Sequence, residues 1–301
     1  MIYIGRFAPS PTGPLHFGSL LAAVASYCDA KFNQGKWLLR IEDLDRPREM
    51  AGAADTIVQQ LDAFGFQWDG EILRQSQRNS YYQAALKVLQ ELGIIYPCTC
   101  TRKEIADSSN IIGIDGFVYP GTCLHQAIKP NAASALRIRV DDAEISFQDA
   151  IQGKITQNLQ NSVGDFVLKR ADGLITYQLA VVVDDAAQGV THVVRGADLL
   201  NSTARQIHLQ QHLSLNTPHY AHIPIARNAA GEKLSKQTLA QSIDARLATQ
   251  QIWQALQFLG QQPPVDLQFA KLPEIWQWAT LNWQIRRVPA QYSTFKQHPL
   301  N

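Results

Sequence analysis

A chain of 301 residues, 46 % apolar and 18 % charged, has enough mass to bury one large core or two to three smaller ones, with the composition of a globular protein. A formal charge of +1 gives no basic footprint, but RNA binding depends on where charge sits, so charge excludes no such partner. No basic segment followed by an apolar one opens the chain, and no apolar run approaches the ~20 residues of a membrane span; the expectation is a soluble, cytoplasmic protein with no membrane partner.

In chain order, Ile2–Phe7 predicts a short strand, followed by a Pro- and Gly-rich turn at Pro9–Pro14. Leu15–Phe32 has apolar residues at helical spacing, with Leu20, Leu21, Val24 and Cys28 on one side, and Asn33-Gln34-Gly35 closes it. Trp37–Ile41 predicts a buried strand running into Glu42-Asp43-Leu44-Asp45. This order suggests a parallel α/β unit with ligands at the strand ends. Helices are expected over Arg48–Phe64 and Ser80–Leu92. From Tyr96 to residue 130 the periodicity fades, and three of the four cysteines fall there, as in an insertion with its own staple. Ala135–Val140 and Asp165–Lys169 look like strands, Ile175–Val183 and Thr191–Val194 like core strands, and Ser202–His212 like a helix. After Lys236 the chain reads as mostly helical, most clearly over Ile243–Leu259.

Two segments carry nucleotide chemistry. At His16-Phe17-Gly18-Ser19 a turn runs into a helix, where backbone N–H groups and the helix dipole favour phosphate. Gly18 lets an adenine approach the backbone, and His16 can donate to phosphate oxygens. Far along the chain, Lys233 and Lys236 in Glu232-Lys-Leu-Ser-Lys-Gln237 offer two ammonium groups for charge developing on the α-phosphate and pyrophosphate. Alone, each segment is an ordinary turn or solvated surface; together, in this order, they are specific.

These segments resemble the HIGH and KMSKS signatures of class I aminoacyl-tRNA synthetases, with Ser19, Leu234 and Gln237 as departures. Arg6–Gly13, Leu39–Asp45, residues 164–185 and Thr191–Gly196 resemble the glutamyl/glutaminyl branch, so the likeness spans roughly residues 3–240. It implies an α/β, Rossmann-type catalytic domain in two halves, 1–95 and 171–236. Between them would lie an RNA-binding α/β subdomain with a zinc site at 96–170, and a helical extension would fill 237–301. It also implies ATP with Mg2+, with His16, Gly18, Ser19 and Lys236 on the nucleotide and His16, Ser19, Lys233 and Lys236 serving catalysis.

A glutamate substrate needs two cationic groups and an acid. Arg6, Arg195 and Glu42 supply them, and Tyr177 adds a hydroxyl. By similarity, Glu42 would hold the ammonium, with Arg6, Tyr177 and Arg195 on the carboxylates and Phe7, Ala8, Pro9 and Ser10 lining the pocket. Cys98, Cys100 and Cys123 suit a structural zinc that needs a fourth ligand. From chemistry alone His125 is the choice, whereas the resemblance, Cys-x-Cys, eighteen residues, Tyr-x3-Cys, implies Tyr119. The 64 residues from 238 to 301 are too few for the anticodon-reading region of glutamyl-tRNA synthetases, so no such domain is expected. The run Ala197–Thr203 also departs from theirs. Both features resemble the truncated paralogues of that branch, which implies tRNA-independent activation of glutamate and its transfer to the queuosine base in the anticodon loop of tRNA(Asp). The rival reading is charging of the 3′ end of tRNA(Glu). A monomer is expected, with Arg286 and Arg287 as weak candidates for RNA contact.

Overall fold

The computed structural model describes residues 2–126, 132–227 and 241–290, together with Ser293 and Thr294. Lys233 and Lys236 lie outside the described residues. The first half is a parallel α/β unit whose strands run in one sequential order. Strand β1 (Ile4–Phe7) leads through the proline turn to α1 (Phe17–Phe32), β2 (Lys36–Ile41), α2 (Ala53–Ala63), β3 (Leu73–Arg74) and α3 (Asn79–Glu91). β1, β2 and β3 are parallel and adjacent in that order.

Helix α1 is buried almost all round, beyond the single apolar side read from its sequence: Ala23, Ala25 and Tyr27 are as enclosed as Leu20 and Val24. The sheet covers one side and later helices cover the other, the environment an all-round apolar helix requires. Gly35 is needed for close approach rather than for capping. A Cβ there would sit 2.4 Å from the Tyr3 carbonyl oxygen, while Gln34 takes the positive φ of 54°. The second helix begins five residues later than expected, because Arg46–Arg48 form a 3-10 turn and Gly52 stands at φ 77°.

In the insertion, β4 (Ile95–Cys98) is followed by α4 (Arg102–Ser108), the hairpin β5 (Ile112–Gly113) and β6 (Gly116–Phe117), and β7 (Ala135–Ile138). The hairpin β8 (Glu144–Asp149) and β9 (Gly153–Asn158), the single turn α5 (Leu159–Ser162) and β10 (Phe166–Lys169) come next. β7 lies antiparallel between β4 and β10. The β8–β9 hairpin instead joins the catalytic sheet, where Asp149 pairs with Tyr220.

Residues 175–183 are not a strand. Thr176 precedes the helix α6 (Tyr177–Ala187), which Gln188 and Gly189 end. A short run such as Leu179–Val183, buried on every side, has no period to separate strand from helix. The chain then forms β11 (His192–Gly196), α7 (Thr203–His212), β12 (His219–Ile223) and β13 (Ala226–Arg227). β11 and β12 are parallel, and the Thr191 N–H donates to the Ile4 carbonyl at 2.9 Å, bringing β11 beside β1. The spatial order is therefore β3-β2-β1-β11-β12, whose strand-order reversal falls between β1 and β11. Helices α8 (Ala248–Phe258) and α9 (Leu272–Asn282) cover the outer side of α1, and β14 (Ser293–Thr294) pairs with β13. Two indole N–H groups fasten this extension: Trp276 donates to the Phe64 carbonyl at 2.8 Å and Trp283 to the buried Asp29 carboxylate at 2.9 Å. Among the described residues no helix is long and apolar enough to cross a membrane.

Candidate active site

A cleft of about 520 Å³ opens at the C-terminal ends of β1 and β11. Arg6 reaches it from β1, Glu42 from the residue after β2, Arg195 from β11 and Tyr177 from the first turn of α6. Phe7, Ala8, Pro9 and Ser10 line it from the proline turn, and His16, Gly18 and Ser19 from the start of α1. The Pro9 carbonyl accepts from the Glu42 N–H at 3.0 Å, which ties that turn to the end of β2. Every expected glutamate- and nucleotide-site residue among those described thus shares one cavity.

His16 is the N-cap of α1. Its Nδ1 accepts from the Ser19 N–H at 3.3 Å, so Nε2 is the protonated nitrogen and one first-turn N–H is already used.

The cations are held in two different ways. Arg6 forks onto Asp185 through Nε (3.1 Å) and Nη2 (3.3 Å). Arg40 donates to the same carboxylate at 2.7 Å and to Glu42 at 3.2 Å. Burial alone would raise the Asp185 carboxyl, but Arg6 and Arg40 hold it below the ordinary range. Glu42 is raised by burial, with Arg40 and Arg6 opposing, so an ammonium group arriving beside it would favour its charged form.

Arg195 is 5 % exposed, and among the described residues no carboxylate lies within ion-pair distance of it. Its partners are neutral. Nε donates to His222 Nε2 at 3.0 Å, Nη1 to the Tyr177 hydroxyl at 3.2 Å, and Nη2 to the Thr203 hydroxyl at 2.9 Å and the Leu199 carbonyl at 3.5 Å. Burial raises the Tyr177 phenol against the pull of Arg195, so it remains an O–H donor. His222, fully enclosed, donates from Nδ1 to Asp149 at 2.5 Å, and burial pushes its imidazole down to about 4, which keeps it neutral. A buried guanidinium without an ion-pair partner among the described residues, beside a phenol donor, can receive a carboxylate.

The cysteines also converge. The sulfurs of Cys98, Cys100 and Cys123 lie within 4.8 Å of one another. The Tyr119 hydroxyl is 3.4 Å from Cys98 Sγ and 3.6 Å from Cys100 Sγ, while Cys100 and Cys123 Sγ are 3.4 Å apart. Tetrahedral zinc with Zn–S of about 2.3 Å calls for ligand separations of roughly 3.5–3.8 Å, and the separations of 3.4–3.6 Å lie at or just below that range, close enough for small side-chain shifts to admit the ion. Arg137 stacks its guanidinium 4.0 Å above the Tyr119 ring. His125 is exposed and outside the cluster. Arg286 and Arg287 are exposed in a 3-10 turn.

Sequence reasoning missed Arg40, Asp149, Asp185, Thr203 and His222. The only signal for Asp185 was its place at the end of the motif-bearing stretch 164–185. Nothing in the sequence marked His222 or Asp149.

With the geometry described, comparison defines the class: residues 4–291 match the family described as tRNA synthetases class I (E and Q), catalytic domain, and the chain belongs to it. Within that class it is similar to proteins named Glutamyl-Q tRNA(Asp) synthetase. The one from Dechloromonas aromatica (strain RCB) is 55 % identical over 290 residues, 96 % of each chain. The one from Neisseria meningitidis serogroup C (strain 053442) is 52 % identical over 293 residues, 96 % of this chain and 98 % of the relative. In fold it is similar to glutamate-tRNA synthetase from Elizabethkingia anophelis, with a TM-score of 0.81 at 24 % identity over 99 % of this chain and 68 % of that one.

Proposed function

We propose that the protein activates L-glutamate with ATP to glutamyl-adenylate without tRNA, then transfers the glutamyl group to the queuosine base in the anticodon loop of tRNA(Asp). The observation that carries the glutamate assignment is Arg195, a buried guanidinium that neutral partners hold at the cleft. Arg195 and Tyr177 would take one carboxylate, Arg6 would assist with the other, and Glu42 would take the ammonium. The glutamate α-carboxylate attacks the α-phosphate of ATP and pyrophosphate leaves. His16, through its Nε2 proton, would face the phosphates, and the Lys233 and Lys236 ammonium groups would serve them, with Mg2+ neutralising charge. A ring hydroxyl of the modified base then attacks the mixed anhydride, releasing AMP.

The acceptor is inferred from the relatives named Glutamyl-Q tRNA(Asp) synthetase, which match this chain along nearly their whole length. They support it over the 3′ end of tRNA(Glu). An enzyme with that acceptor works where tRNA is, in the cytoplasm. Cys98, Cys100, Cys123 and Tyr119 would hold one structural zinc that stiffens the RNA-facing insertion and takes no part in the reaction.

ATP–pyrophosphate exchange without tRNA tests the first half. The wild type should exchange with glutamate and not with glutamine. Arg195→Ala, still folded, should lose at least about a hundredfold in kcat/KM, as expected when a charged hydrogen-bonded partner is removed. Full exchange in that variant would overturn the assignment.

A further inference from the structure

Two guanidinium groups, Arg6 and Arg195, line the cleft, with a third, Arg40, buried against Asp185 and Glu42, and their supports differ in kind. Arg6 and Arg40 share the carboxylate of Asp185, which pairs with their charge. Arg195 is supported through its Nε by an imidazole, and the carboxylate behind that imidazole, Asp149, touches His222 rather than the arginine. Both His222 and Asp149 are buried, at 0 % and 1 % exposure.

Asp149 is itself rigidly placed at the end of β8. Its Oδ1 accepts from the backbone N–H groups of Ile151 (3.0 Å), Gln152 (2.8 Å) and His222 (3.2 Å), leaving Oδ2 to take the Nδ1 proton of His222. With that proton fixed on Nδ1, Nε2 can only accept, and it faces Arg195 Nε at 3.0 Å. Thr203, from the run that departs from the glutamyl enzymes, takes Nη2. The guanidinium plane is therefore fixed along two edges, and among the described residues one N–H of Nη1 remains for a ligand beside the Tyr177 hydroxyl.

We propose that His222 and Asp149 are positioning residues for Arg195, a charge-sparing clamp that aims the guanidinium at a glutamate carboxylate without neutralising it. A carboxylate in place of His222 would orient the arginine equally well but would pair with its charge, leaving less for the substrate. The imidazole transmits orientation from Asp149 while keeping that negative charge one ring further away. This proposal rests on the reading of Arg195 as the glutamate receptor.

The test compares full-length wild type with Asp149→Asn and His222→Gln in glutamate-dependent exchange, with folding checked by thermal melting. Asp149→Asn keeps the backbone bonds to Oδ1 but offers an amide donor to Nδ1. The imidazole proton must then move to Nε2, where it opposes the Arg195 N–H. KM for glutamate should rise on the order of 10–100-fold, as when an outer support of a binding group is lost, with KM for ATP within about twofold. His222→Gln, whose amide oxygen can accept from Arg195 and whose NH2 can face Asp149, should recover most of that loss. A 15N spectrum of the imidazoles supplies a readout independent of activity: the wild type should give a neutral Nδ1-protonated ring absent from His222→Gln, and Asp149→Asn should convert it to the other tautomer. An unchanged glutamate KM in folded Asp149→Asn, equal rises in both KM values, or an Nε2-protonated wild-type ring would each overturn the clamp. Absence of any glutamate-dependent exchange in the wild type would overturn the glutamate reading instead, and the tautomer would still decide whether the clamp exists.

Discussion

At the scale of single residues, the cleft is organised by what happens to charge when water is removed. A guanidinium at 5 % exposure with no carboxylate within ion-pair distance among the described residues is costly in the free protein, a cost that a bound carboxylate would offset. The same burial acts on His222, a ring enclosed between Asp149, Arg195, Thr203 and Tyr220, with the Asp198 charge nearby. An unfolded histidine takes its proton near pH 6.5, whereas burial pushes the native ring down to about 4. Between those values the unfolded chain binds more protons, so stability is complete above about pH 6.5 and falls as pH drops toward 4, by at most about 3 kcal/mol from this ring. His192, also pushed down to about 4 by burial, acts in the same direction. Urea midpoints at pH 7 and pH 4.5 should differ more for the wild type than for His222→Gln; equal differences would contradict this role of the ring. Arg6, Glu42, Tyr177 and Arg195 were legible because each sits in a motif with its own spacing. Their supports were not. Asp185 is 179 positions from Arg6, and Asp149 is 73 from His222, so only the folded chain brings them together.

At the scale of elements, the insertion is held in two ways: Ile138, Ile145, Leu159, Phe166 and Leu168 join one of the large cores, while the cysteine end has only the small buried cluster of Tyr96, Cys98, Tyr119 and Cys123. Such a unit gains most from a metal. The purified protein should carry one zinc. His125→Ala should retain it, Cys98→Ser should lose it, and Tyr119→Phe should release it faster to a chelator. Loss of zinc from His125→Ala would reverse the choice of fourth ligand. Spacing alone left that choice open, because it does not say which way the 3-10 turn at Thr122–His125 points its side chains. The elements around the motifs were legible within a few residues, whereas α4, the β8–β9 hairpin, β12 and α9 were not singled out. The one misassigned element, Tyr177–Ala187, matters for function, since helix formation there brings Tyr177 to the first turn and its hydroxyl to Arg195.

At the scale of the whole molecule, the parallel sheet brings residues from both halves of the chain to one edge, and the insertion leaves and re-enters between them. The C-terminal helices pack on α1, with Trp283 bonded to Asp29, so they belong to the catalytic body in structure. The solved glutamate-tRNA synthetase shares this body across 68 % of its length, while the glutamyl-Q relatives match almost end to end. The central claim, that an adenylate site of the glutamyl type serves an anticodon base, rests on those glutamyl-Q relatives. The most direct measurement is transfer of labelled glutamate, with ATP, to tRNA from cells that make queuosine and from cells that do not. The account predicts label on tRNA(Asp) only when queuosine is present. Label on tRNA(Glu), or equal label in the two preparations, would contradict it.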